Sequence, residues 1–290
     1  MDDFKFRLIH LHHCRGIGWK TILNILKADP ELKRLYNLTL HDLFLQNTNT
    51  TTASTILHDL HSDFIPQQIS QYQLNGISMI TIFDDEYPEL LKEIYQPPWV
   101  LYGKGDLSLL KNHLHLAVVG SRQYNDYGED AIQRFFPKLI ENKIVIVSGL
   151  AAGIDKIAHE TAIHLKGKTI GVIAGGLYNI YPQENRELSI KMMKNQLILS
   201  EYPPITRPMK WQFPMRNRII SGICKGTFVV QAKSKSGSLI TANYAVQEGR
   251  EVFALPGNIF SPYSAGTNEL IQQGAKLVKS SEDIIEELVY

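Results

Sequence analysis

Four short runs in the second half of the chain join glycine to hydroxyl or cationic side chains, the residue types that hold phosphate. Gly120-Ser121-Arg122 closes the aliphatic run Ala117-Val118-Val119 with a glycine, a hydroxyl and a guanidinium. Ser148-Gly149-Leu150-Ala151-Ala152-Gly153-Ile154-Asp155 closes the next such run and opens a helical pattern, whose free amides favour an anion. The third run, Gly175-Gly176-Leu177-Tyr178-Asn179-Ile180-Tyr181-Pro182-Gln183-Glu184-Asn185, has paired glycines that would admit a ligand. It also has Tyr178, Tyr181 and Asn185 for stacking or hydrogen bonding. The fourth, Lys233-Ser234-Lys235-Ser236-Gly237-Ser238, precedes a helical pattern and combines two lysines with three hydroxyls, a good phosphate cradle.

Charge placement supports this chemistry. The 290 residues have a formal net charge of only +1, yet the 46 residues from Tyr202 to Gln247 contain no Asp or Glu and seven Lys or Arg. Such a stretch suits an anionic partner, although a run of solvated lysines has the same composition. Within it lies Arg216-Asn217-Arg218. Arginines two apart face different sides of a helix, so one is expected to meet phosphate while the other pairs with a carboxylate such as Glu201. No full GxGxxG and no GxxxxGK[ST] occurs, which removes the main support for dinucleotide oxidoreductases and P-loop ATPases. Cys14 and Cys224 stand far apart with no ligand spacing around them, so neither a disulfide framework nor a metal site is indicated, and no cofactor is called for. The opening MDDFKF lacks a signal peptide's basic start and no apolar run reaches membrane-span length. A cytoplasmic protein with no membrane association is expected.

The elements that must position these loops fall into two grammars. Residues 1–75 read as short helices. Phe6 to Leu11 and Trp19 to Leu26 flank the Gly16-Ile17-Gly18 turn, and further helices are expected at Thr39 to Leu45 and Thr52 to His61, ending before Pro66. A helix–glycine–helix module can grip a nucleic-acid backbone, but basic and acidic residues balance here, which favours an interaction domain. From residue 76 to 290, aliphatic strands alternate with amphipathic helices. Strands are expected at Ile77–Phe83, Val100–Gly103, Leu114–Gly120, Ile144–Ser148, Thr169–Ala174, Leu197–Glu201, Thr227–Gln231 and Glu251–Ala254. The fold class is therefore α/β, a doubly wound and mainly parallel sheet with ligands beyond the strands' carboxyl ends, preceded by a small helical domain.

In order, the blocks GSRQYNDYG, VSGLAAGID, HETAI, GGLYNIYPQEN, LSEYPP, FPMRNRIISG, KSGSLITANYA, GREVFALPGNI and GTNELIQQGAKLV resemble the DNA processing protein A (DprA, or Smf) family over about residues 75 to 280. The resemblance implies an extended Rossmann-like domain after a sterile-alpha-motif-like one. It implies single-stranded DNA binding without sequence specificity, delivery of that DNA to the RecA recombinase during natural transformation, and a homodimer. Self-association is placed near Val252 to Leu277, where Phe253, Leu255, Ile259, Phe260, Leu270 and Ile271 supply apolar surface. Carried over, Arg122, the Ser148–Asp155 loop and the Lys233–Ser238 loop are the DNA contacts. Gln183 stands where many relatives have lysine, and the chain stops where many have a winged-helix domain, so duplex binding of that kind is not expected. The competing class is a nucleotide hydrolase of the lysine-decarboxylase-like group. Its PGGxGTxxE loop has no counterpart in SKSGSLITANYA, which lacks the glutamate that acts as acid or base.

Overall fold

The computed structural model describes residues 2–46, 48–111 and 114–289. The chain forms two compact units, Met1–Asp85 with Pro98–Tyr102, and Glu86–Pro97 with Gly103–Tyr290. The first contains α1 (Asp3–His13), α2 (Trp19–Ala28), α3 (Leu40–Phe44), α4 (Thr50–Leu60) and α5 (Phe64–Leu74), then β1 (Ser78–Thr81) and the start of β2 (Val100–Gly105). Side chains that accept orphan amides start α1, α3 and α4: Asp2 takes Lys5 N, Thr39 and Asp42 form a reciprocal box, and Asn49 takes Thr52 N. Pro66 does not stop a helix. It sits in the first turn of α5, where its missing N–H would have had no partner. The Gly16–Gly18 turn is held from its flank, since Arg15 donates to both carboxylate oxygens of buried Asp59.

The second unit holds α6 (Glu89–Lys92), β3 (His115–Val119), α7 (Asp126–Glu141), β4 (Val145–Ser148), α8 (Ile154–His164), β5 (Thr169–Ile173), α9 (Arg186–Asn195) and β6 (Leu197–Ser200). It continues with α10 (Gln212–Ile223), β7 (Gly226–Val229), α11 (Gly237–Gln247), β8 (Glu251–Ala254), α12 (Ala265–Gln272), β9 (Lys276–Leu277) and α13 (Glu282–Val289). Seven of its strands pair in parallel in the order β6-β5-β4-β3-β7-β8-β9. Every residue of β3 to β7 in this set is buried, which is why the strands read as continuous aliphatic runs rather than alternating ones.

Side chains alternate along each strand, so two cores form. Leu116, Val118, Ile146 and Phe228 face α7, α8 and α13, with Phe135 stacked on Phe228 at 5.3 Å between ring centres. On the other face α10 and α11 pack on each other and over β3, β5, β7 and β8. This is the expected doubly wound, mainly parallel α/β fold preceded by a helical region. The chain lays down β3, β4, β5 and β6 outward in one direction, then returns to place β7 on the free side of β3, with Ala117 opposite Thr227 and Val118 opposite Phe228. Such a reversal parts the loops after β3 and β7 to opposite faces and leaves a crevice between them.

Candidate nucleic-acid interface

A cleft of about 1020 Å³ opens at that reversal. Gly120, Ser121 and Arg122 line it from the end of β3, and Lys233, Lys235, Ser236, Gly237 and Ser238 from the loop between β7 and α11; Ala151, Arg216 and Asn217 complete its polar wall. The two loops are joined at the root, where Ser121 N donates to Gln231 O at 2.8 Å. Asn217 Nδ2 reaches Gly237 O at 3.3 Å, tying α10 to the start of α11. Ser236 caps α11 by accepting from Ser238 N, so the positive end of that helix dipole lies at the cleft, where Ser236, Gly237 and Ser238 line the wall. Arg122 is exposed over the Phe213 ring, 6.0 Å from its centre, while Lys233 donates to Gln123 Oε1 at 2.8 Å and lies 5.2 Å from the Tyr263 ring centre. Among the described residues, Arg122, Lys210, Lys233 and Lys235 have no carboxylate at ion-pair distance, so four cations border the cleft unneutralised.

Among the described residues, the one carboxylate of the cleft wall is Asp155, and it is spoken for. Its Oδ2 accepts from Gly149 N at 3.2 Å and from Ala151 N at 3.4 Å. Buried Arg216 faces it and donates to the carbonyls of Gly149 and Val172. Burial pushes the Asp155 carboxyl above its ordinary range, with Arg216 and the amides pulling the other way. Burial also lowers the Arg216 guanidinium to about 10, opposed by Asp155 and helped by Arg122.

The remaining expected contacts lie outside the cleft wall. Ser148 is buried and donates to Val118 O at 2.6 Å, and Leu150 is buried with a positive φ of 55°. Gly149 gives its amide to Asp155, and Gly153 packs against the carbonyls of Ser121 and Arg122. Asn185 is buried and donates to Leu150 O at 2.9 Å and Ala151 O at 3.1 Å. Of these five, Gly153 packs directly against the Ser121–Arg122 turn, while Ser148, Gly149 and Asn185 fasten the loop that leads to it. Ser234 is exposed and does not line the cleft. Arg218 is buried and paired with part-buried Glu201, as expected for one of the two arginines, whereas Arg216 is buried and gives its guanidinium to the Gly149 and Val172 carbonyls instead of presenting it for a phosphate. Paired Gly175 and Gly176 admit no ligand: a Cβ on Gly176 would meet the carbonyls of Pro203 and Pro204, so what approaches is the chain itself. Sequence reasoning passed over Phe213, Gln123 and Lys210, although Phe213 and Lys210 both lie in the acid-free stretch. Of the apolar residues between Val252 and Leu277, Phe253, Leu255 and Leu270 are core, whereas Ile259 and Phe260 are 79% and 88% exposed.

Residues 78–289 match the family model described as DNA recombination-mediator protein A. The chain belongs to this family. It is 47% identical to DNA processing protein DprA of Bacillus subtilis over 90% of this chain and 88% of that one. The X-ray structure of DprA from Streptococcus pneumoniae superposes with a TM-score of 0.87 at 38% identity, covering all of both chains. A DprA structure from Helicobacter pylori, described as giving insight into a single-stranded DNA binding mode, superposes with a TM-score of 0.66 at 33% identity, over 73% of this chain and 95% of that one. Among the described residues no helix is long and apolar enough to cross a membrane, and no group of three His, Cys, Asp or Glu could hold a metal ion.

Proposed function

We propose that this chain binds single-stranded DNA without sequence specificity across the carboxyl ends of β3 and β7, and that it acts in the cytoplasm as a mediator rather than an enzyme. One observation carries the reading: among the described residues, Arg122, Lys210, Lys233, Lys235 and the start of α11 converge on one cleft whose only wall carboxylate, Asp155, already accepts from the Gly149 and Ala151 amides. Phosphates lie against Arg122 and the Lys233–Ser238 loop. Because Asp155 occupies the Gly149 and Ala151 amides, the Ser148–Gly153 loop serves mainly by holding the Arg122 turn. Cations and amides grip the backbone, and Phe213 and Tyr181 on the cleft wall offer faces to any base, which gives affinity without sequence readout. The DNA so held is handed to the RecA recombinase during DNA uptake, and the working form is a homodimer whose contact uses Ile259 and Phe260. The family's description as a recombination mediator and the H. pylori relative's DNA-binding structure support this reading.

A salt series of anisotropy measurements on a labelled oligothymidylate tests it. Arg122→Ala and Lys233→Ala should each weaken binding and flatten the log–log salt slope by about 0.7, the share of one single-strand phosphate contact. Unchanged affinity and slope in both would place the DNA elsewhere. Light scattering at micromolar concentration should give twice the 32.9 kDa chain mass, dropping to the monomer in Phe260→Asp.

A further inference from the structure

We infer that the strand continues out of the main cleft into a second phosphate subsite built by Arg186 and Arg207; this rests on the reading that the main cleft takes single-stranded DNA. A separate groove of about 590 Å³ runs between the Tyr178–Arg186 segment and the Arg207–Pro208 pair. Tyr181 and Pro208 line both this groove and the main cleft, so one polymer can pass from one to the other.

Both guanidinium groups are exposed, and neither has a carboxylate at ion-pair distance among the described residues. Glu184 and Glu187 flank Arg186 in the chain, but both are exposed and neither lines the groove. Two unpaired cations bordering one groove repel each other until an anion lies between them, and guanidinium matches a phosphate's paired oxygens. The position of Arg207 is set by its backbone. Gly176 N donates to Thr206 O at 2.8 Å, Tyr178 N to Pro204 O at 2.9 Å, and Asn179 Nδ2 to Ile205 O at 3.0 Å. Pro203, Pro204 and Pro208 further limit the freedom of this segment. The close approach that the paired glycines permit thus presents a cation on a fixed wall.

The other lining groups define the ligand. Tyr178 and Tyr181 are 45% and 55% exposed, and such rings stack on bases that have left their own stack. Phosphate plus unstacked bases describes a single-stranded polynucleotide, not a duplex and not free inorganic phosphate. Gln183 also lines the groove as a neutral side chain, so among the described residues the charge there comes from Arg186 and Arg207 alone.

Anisotropy with fluorescein-labelled oligothymidylates of three and twenty nucleotides tests the inference on the full chain. For the 20-mer, the Arg186→Ala/Arg207→Ala double variant should show a salt slope shallower by about 0.7, so that a fourfold rise in salt costs it about 2.6-fold less affinity than it costs wild type. The 3-mer, which fills only the main cleft, should bind both proteins alike. Gln183→Arg in the double variant should restore the 20-mer slope. Unchanged 20-mer binding in the double variant, beside weakened binding in Arg122→Ala, would overturn the subsite and leave the main cleft standing. If Arg122→Ala were silent as well, the cleft reading would fall and the subsite with it. Equal losses on the 3-mer and the 20-mer would also overturn it, because the arginines would then act within the main cleft.

Discussion

Substituting Gly153 by alanine should damage both the fold and the DNA site, and the size of the effect follows from two features of that residue. Its φ of 79° and ψ of −131° lie where only glycine is at ease, and forcing a side chain there costs of order 1–3 kcal/mol. The new Cβ would stand 2.6 Å from the carbonyl oxygen of Arg122 and closer still to that of Ser121. Carbon–oxygen contacts settle near about 3.3 Å or beyond, so the turn carrying Arg122 must retreat by roughly 0.7 Å or more. Overpacking of this kind adds about 1 kcal/mol at least. The total is roughly 2–4 kcal/mol, which at a urea m-value of about 3 kcal/mol/M lowers the unfolding midpoint by about 1 M. Circular dichroism across a urea series measures it, and Gly237→Ala is the control. A Cβ at Gly237 meets nothing within 4 Å, so alanine there, at the start of α11, should hold or raise stability by about 0.4–1 kcal/mol. Equal midpoints for the two variants would refute the packing account of Gly153, and with it the claim that this loop fixes the Arg122 turn.

Three further outcomes are expected. Arg216→Met leaves the Gly149 and Val172 carbonyls without that donor and buried Asp155 without the attraction of that cation, and should cost about 2–6 kcal/mol by chemical denaturation, about 1–3 for each orphaned carbonyl; a loss under 1 kcal/mol would mean these bonds add nothing. His159 is buried, its Nε2 has no hydrogen-bond partner among the described residues, and burial, with Arg216 adding to it, lowers its imidazole to about 3. The unfolded chain gains that proton near pH 6.5, so this group's stabilisation is present above pH 6.5 and falls as pH drops toward 3. Between pH 8 and pH 5 the wild type should lose about 2 kcal/mol more than His159→Phe, and parallel losses would show that this ring is not the cause. Tyr181→Ala should weaken binding of mixed and thymine-only strands alike, by about 1–3 kcal/mol if a base stacks there, whereas a loss confined to one sequence would point to base readout.

Much of the fold was legible because its strands are buried on both faces. Runs such as Ile144–Ser148 and Thr169–Ala174 differ from the observed β4 and β5 by a residue at an end. Two-residue β9 carries no such pattern, and Pro66 misled because a proline that ends one helix and one that begins another look alike in sequence. Cleft residues were legible where the chemistry is local, as in Gly120-Ser121-Arg122 and the Lys233–Ser238 loop. They were not where a partner comes from far along the chain. Nothing near Gly149 announces that its amide goes to Asp155 and its carbonyl to Arg216, 67 residues on. The paired glycines at 175 and 176 were equally ambiguous, because a close approach by a ligand and one by Pro203–Pro204 require the same missing Cβ.

The tethered carboxylate of Asp155 also bears on what the cleft ignores. A side chain anchored a few residues from the amides it caps competes with any dissolved anion at an effective concentration in the millimolar range or above. Inorganic phosphate or a free mononucleotide finds those amides taken and is left with one or two contacts at Arg122 or the Lys233–Ser238 loop. A polymer touches all of the remaining cations at once and sums their contributions. The cleft is thereby tuned to chain length as well as to charge, and millimolar phosphate should loosen a bound oligonucleotide no more than chloride of equal ionic strength does.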